Sequence, residues 1–143
     1  MTDSLNRFVE AQDASYEMAL REIQNGRKQS HWMWYIFPQL RGLGHSSTSV
    51  YFGIRDRAEA QDYLNHPVLG PRLQQITKAV LDSGQSVLSL FGSIDALKFS
   101  SCMTLFAAIT DENSVFAEAL SRITSTDQHT LTLLQQRDSR NKN

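Results

Sequence analysis

Residues 26–39 (GRKQSHWMWYIFPQ), followed directly by residues 41–49 (RGLGHSSTS), collect both tryptophans of the chain, a His, a Gln, two closely spaced glycines and a run of hydroxyls. Aromatic faces beside polar side chains and Gly-rich backbone make the lining that a flat, polar or phosphorylated ligand requires. Trp32, Trp34 and Gln39 are candidate contacts from the first stretch, and Gly42, Gly44 and Ser46 from the second. Glycines that allow positive φ, with successive amides in a Gly/Ser loop, can form an anion-binding nest. The loop has neither the Gly-Lys-Ser/Thr ending of a P-loop nor the Gly-x-Gly-x-x-Gly of a dinucleotide fold, so an ordinary Gly/Ser connection is the competing reading.

Other polar groups stand where a burial pattern calls for apolar ones. Gln12 interrupts an apolar helical stripe; it is either a buried amide tying down a neighbouring loop or an amide facing a ligand. Lys98 lies on a strongly apolar stretch, where its ammonium needs water, a carboxylate or a ligand anion. Ser101 and Thr104, with Ser100, extend Lys98 into a polar strip, although such hydroxyls also satisfy themselves on the carbonyl four residues back. Arg72, close to a helix start, can reach an anion or pair with a surface carboxylate. Several site types are absent. His31, His45, His66 and His129 have no paired metal-ligand spacing and Cys102 has no partner, so no metal is expected. Cys102 sits in an apolar helix that disfavours its thiolate, and no Gly-x-Ser-x-Gly turn exposes a serine. Asp95, Glu59, Glu17 and Glu22 fit caps or solvated faces, no triad emerges, and no cofactor is implied.

The elements that must hold these groups are helical. Residues 4–25 carry Leu5, Phe8, Val9, Tyr16, Ala19, Leu20 and Ile23 on one stripe, and Gly26 is the stop. Residues 30–37 are apolar nearly all round, a short buried helix that Pro38 helps to end. Val50 to Ile54 is β-branched and aromatic, a brief strand or extended link. Asp56 caps a helix to about Leu64, which Asn65-His66-Pro67 breaks. Leu69, Leu73, Ile76 and Val80 stripe the next, with Pro71 tolerated in its first turn. Residues 86–91 make a turn or two closed by Gly92, and Ser93 caps a helix from Ile94 to Ile109, apolar enough to lie buried at the centre. Val115 to Ile123 and, capped by Asp127, a helix to about Gln136 complete the set. The fold class expected is all-α: one compact bundle of about seven helices over residues 1–137, with at most one short extended segment and a frayed tail over 138–143.

Composition narrows the function. At 143 residues with 41% hydrophobic content the chain fits one domain with a real core. A net charge of −1 gives no general basic field for polymeric nucleic acid, and no apolar run approaches the ~20 residues of a membrane span. One cysteine and an N-terminus without a secretory pattern point to the cytoplasm.

The strings at residues 31–39 (HWMWYIFPQ), 42–44 (GLG), 66–70 (HPVLG) with Arg72, and 98–106 (KFSSCMTLF) resemble the signature of a bacterial family known as domain of unknown function 1810, sometimes labelled calpastatin-like. The resemblance covers nearly the whole chain, from Phe8 to Leu131. It implies a compact, mostly helical domain and brings no reaction with it; calpastatin repeats are disordered, whereas this composition is globular. The motif residues map here onto Gln12, Lys28, His31, Trp32, Trp34, Phe37, Pro38, Gln39, Gly42, Gly44, Ser46, Ser49, His66, Arg72, Lys98, Ser101 and Thr104. Pro71 and Cys102 stand where the family pattern has a small residue and a serine. A second similarity, in the order of Gln12, the His66-Pro67 helix start with Arg72, the Lys98-Phe99 helix and Asp127, is to helical N-glycosidases acting on riboflavin-pathway intermediates and ADP-ribosylated guanine. That resemblance implies a base stacked on Trp32 or Trp34, phosphate held by the 42–49 loop with Arg72 and Lys98, and a proton or water handled by His31 or a carboxylate. The late Trp-Gly-x-Gly motif of those enzymes is missing here.

The expected function is thus binding of a small phosphorylated or nucleotide-like ligand in a pocket lined by residues 31–34 and 98–104. The contacts are Gln12, Trp32, Trp34, Gln39, Gly42, Gly44, Ser46, His66, Arg72, Lys98, Ser101 and Thr104. His31 takes the catalytic place of an N-glycosidase-like hydrolase of ADP-ribose or related nucleotides. The alternative is a non-catalytic helical protein-interaction module.

Overall fold

The apolar stripe of α1 (Asn6–Gln24) buries Phe8, Gln12, Tyr16, Ala19 and Ile23, and Arg21 in its last turn suits the negative end of the helix dipole. The structure, a computed structural model, describes residues 5–141, so the first residue of the expected helix and the last two of the expected tail lie outside the described residues. After α1 come α2 (Met33–Ile36), α3 (Ser47–Tyr51), α4 (Arg57–Asn65), α5 (Leu69–Asp82), α6 (Val87–Ala107), α7 (Val115–Arg122) and α8 (Gln128–Asn141). The fold is all-α, with eight helices among the described residues and one isolated parallel bridge, Leu40 to Ile54.

Packing follows the stripes. Helix α1 lies along α5 and α2, α5 also meets α4 and α7, and α6 packs on α7 and α8. Trp32, Phe37, Phe99, Tyr63, Phe106 and Phe116 are buried to below 2% exposure, in two ring clusters of the core: Trp32, Phe37, Phe91 and Phe99 in one, and Phe8, Tyr63, Phe106 and Phe116 in the other. Rings of this size supply most of the apolar burial in such a domain. The α4–α5 corner is tight: a Cβ at Gly70 would stand 2.1 Å from the Leu64 carbonyl oxygen.

Three expectations change. Residues 47–51, expected as the end of the Gly/Ser loop and the start of the extended 50–54 link, are helical, because Ser46 accepts the Ser49 amide at 3.1 Å and Val50 N reaches Ser46 O at 3.0 Å; the capping hydroxyl overrides β-branched propensity. The extended part shrinks to the bridge, where Arg41 N donates to Ile54 O and Ile54 N to Gln39 O. Helix α6 breaks at Gly92 as expected, with a φ of 82° that only glycine adopts readily, but the limb that follows is not buried all round. Its inner side holds Phe99 and Cys102 to Phe106, while Ile94 and Leu97 are 71% and 72% exposed. Helix α8 continues past residue 137, where a frayed tail was expected. Arg57 pairs with Asp138 at 3.0 Å, and Arg137 donates to the carbonyls of Arg41 and Arg55. No described helix is long and apolar enough to cross a membrane.

Candidate functional site

One carboxylate fixes the loop that carries most of the candidate residues. Glu22, near the end of α1, accepts the amides of Gln29 and Ser30, the Ser30 hydroxyl and Trp32 Nε1 at 2.6–3.0 Å. Burial pushes its pKa up, but these donors outweigh that and hold it down to about 2. Residues 28–34 are thereby set against the restart of α6 after Gly92. Lys28 Nζ lies 2.8 Å from Asp95, and Lys98 Nζ lies 3.4 Å from the same carboxylate. Each ammonium also faces an indole: Lys28 is 5.0 Å from the ring centre of Trp32, and Lys98 is 4.4 Å from that of Trp34. Two cations share one carboxylate, so the trio keeps a net positive charge.

Two concave openings adjoin at this point. The larger, about 420 Å³, runs between the 39–53 segment, the outer face of α6 and the turn before α8. Trp34, Gln39, Gly44, Lys98, Ser101, Asp127 and His129 give it polar groups, and Leu43, Phe52, Ile94 and Leu97 give it apolar walls. Its size falls within the ~300–1,000 Å³ of small-molecule sites. The second, about 390 Å³, is lined by Lys28, His31, Trp34, Asp95 and Lys98 among others. Trp34, Ile94 and Lys98 belong to both, so the two form neighbouring parts of one surface.

The candidate residues divide between this surface and the scaffold. Trp34, Gln39, Gly44, Lys98 and Ser101 come together in the larger opening, and His31, exposed, lies in the second. Trp32 is fully buried against Phe37 and Phe91 with its N–H on Glu22, so no ring can stack on it. Neither opening draws a residue from α1 or α5. Gln12 donates inside the bundle to Tyr35 O at 2.7 Å and to the Tyr63 hydroxyl at 2.9 Å, the loop-tying amide of the two readings. Arg72 pairs with Asp13 at 3.1 Å and lies over the Tyr16 ring. His66 Nδ1 accepts the amides of Val68 and Leu69 and so caps α5.

The glycine–serine loop is also largely committed to structure. Gly42, with φ of 112°, is pressed under α8, where a Cβ would come 2.8 Å from Arg137 Nη2. Gly44 does not use positive φ; a Cβ there would meet Ser49 Oγ at 2.9 Å. Ser46 is the α3 cap. Thr104 Oγ1 donates to Ser100 O and accepts the Asp127 amide, both at 2.8 Å. Burial pushes the Cys102 thiol well up, against any nucleophilic role.

The sequence did not single out Leu43, Phe52, Ile94, Leu97 or His129 as ligand contacts; it read Asp127 as a cap and one member of the N-glycosidase-like order, and Asp95 as fitting a cap or solvated face. The i, i+3 spacing of Asp95 and Lys98 was the one available signal of their pairing. Among the described residues no three His, Cys, Asp or Glu side chains converge as metal ligands.

Comparison with known proteins is consistent with this architecture. The family model described as protein of unknown function DUF1810 matches residues 2–135. The crystal structure of the conserved hypothetical protein Rv1873 from Mycobacterium tuberculosis is similar at 46% identity and a TM-score of 0.88, over 92% of this chain and 96% of that one. No curated protein matches.

Proposed function

This chain belongs to the DUF1810 family, and from that premise, which carries no reaction, we propose that it binds a small ligand combining a flat ring with negative charge, a nucleotide-like molecule. The observation that carries the reading is Lys98: its ammonium stands 4.4 Å over Trp34 at the boundary of both openings, and shares the Asp95 carboxylate with Lys28. The net positive charge of that trio favours an anion, and the apolar walls beside it favour a ring. Within the reading, Gln39, Gly44 and Ser101 join Trp34 and Lys98 as ligand contacts. The reaction to assay is N-glycosidic hydrolysis of ADP-ribose or related nucleotides, with His31 in the second opening handling the proton. The partner is a small molecule in the cytoplasm, not a nucleic-acid polymer or a membrane.

A second reading, a non-catalytic interaction module, draws on the exposure of Ile94 and Leu97 at 71% and 72% beside the same openings. A thermal-shift panel of nucleotides, ADP-ribose and sugar phosphates separates the two. A ligand at a hundred times its Kd adds about 2.7 kcal/mol of stability. Lys98→Met should abolish the response with little change in the unliganded melting temperature. A flat panel with the wild-type protein rejects the nucleotide reading and leaves the module.

A further inference from the structure

Asp127 stands in the turn before α8 and is tied to α6 at both backbone and side chain. Its amide donates to Thr104 Oγ1 at 2.8 Å, and Thr104 in turn donates to Ser100 O. Its carboxylate is held on one side only: the Ser101 hydroxyl, the Thr130 amide and the Thr130 hydroxyl all donate to Oδ2. A helix cap requires a single acceptor, and Oδ2 supplies it. No described group donates to Oδ1, and Asp127 lines the larger opening together with Gln39, Lys98 and His129. The polar strip of α6 therefore does a different job from the one its sequence suggests. Ser101 holds the carboxylate of Asp127 through Oδ2 and Thr104 holds its backbone amide, which leaves Oδ1 without a described donor on a residue that lines the opening.

We infer that Asp127 Oδ1 accepts hydrogen bonds from the sugar hydroxyls of the ligand, which makes the ligand class a ribonucleotide. The inference rests on the nucleotide reading above and specifies it. A fixed carboxylate repels phosphate and attracts hydroxyl donors, so the phosphate goes to Lys98 and Lys28 and the diol to Asp127. A ribonucleotide carries a ring, a vicinal diol and an anionic group, one for each of the apolar walls, the carboxylate and the ammonium pair.

The test is isothermal titration of AMP and 2′,3′-dideoxy-AMP into the wild-type protein and Asp127→Asn. Hydrogen bonds to a charged acceptor are strong enough that wild type should bind AMP at least about tenfold more tightly than the dideoxy compound. Asn serves as a cap as well as Asp does, so D127N should keep its melting temperature within a few degrees. It should also bind the two compounds alike. Equal affinity of wild type for both compounds, or a preference that survives in D127N, overturns the role of Asp127 and leaves the nucleotide reading standing. Absence of AMP binding to wild type overturns both. If D127N fails to fold, the wild-type ratio decides alone.

Discussion

Replacing Glu22 by Gln removes one charge from the contact that pins residues 28–34 to α1. The wild-type carboxylate accepts four donors, from Gln29 N, Ser30 N, Ser30 Oγ and Trp32 Nε1. Its pKa falls from an ordinary 4.5 to about 2 on folding. Wholly shielded, a fall of that size would contribute about 3 kcal/mol at neutral pH. The side chain is partly open to water, which reduces this to roughly 1–2 kcal/mol. Because the folded pKa is depressed, the contribution is fully present above the unfolded pKa of 4.5 and disappears as pH falls through about 2. E22Q should therefore melt about 3–6 °C below wild type at pH 7, and the gap should close steadily between pH 4.5 and pH 2. Calorimetry or circular-dichroism melts across that range measure it. Equal melting temperatures at pH 7, or a deficit of constant size down to pH 2.5, would refute the argument that charge-assisted bonds to Glu22 hold this loop.

Gly70→Ala places a methyl 2.1 Å from Leu64 O and 2.9 Å from Leu64 C, both backbone atoms that cannot swing away. The α4–α5 corner must open, at a cost of about 3 kcal/mol or more, read as a lower urea midpoint; an unchanged midpoint contradicts the close approach. Trp32→Phe keeps a core ring but withdraws the Nε1 donor from Glu22 at 2.9 Å, so it should destabilise by about 1–2 kcal/mol. Trp34→Phe, at a half-buried ring, should cost less than half that and be felt in ligand binding instead. Cys102 is fully buried and its thiol pKa is raised, so labelling by a thiol reagent should wait for unfolding; rapid native labelling at pH 8 would contradict its burial.

Local patterns settle most of the helices. The stripes of α1 and α5, the Asp56 cap of α4 and the break at Gly92 are all readable from spacing and turn chemistry, because each depends on residues within a few positions of one another. Val50 and Tyr51 mislead where two local signals compete, β-branched and aromatic propensity against a serine cap, and the cap wins. At the site the limits are sharper. A tryptophan's type does not say which of two neighbours, Trp32 or Trp34, turns inward; the Glu22 contact decides that across ten positions. Gln12 and Arg72 carry ligand-like chemistry in the sequence, yet their side chains donate to Tyr35, Tyr63 and Asp13, partners 23 to 59 positions away, and neither lines an opening. Asp127 shows the converse: a cap by its local signal, it lines the opening and is tied to α6 through Ser101 and Thr104, partners 26 and 23 positions away. Helical period and capping are short-range properties, so the sequence by itself determines an all-α domain and the pool of polar groups in it. Which of those groups face an opening depends on long-range pairing, and only the tertiary structure, by satisfying some buried polar atoms and leaving others turned outward, decides it.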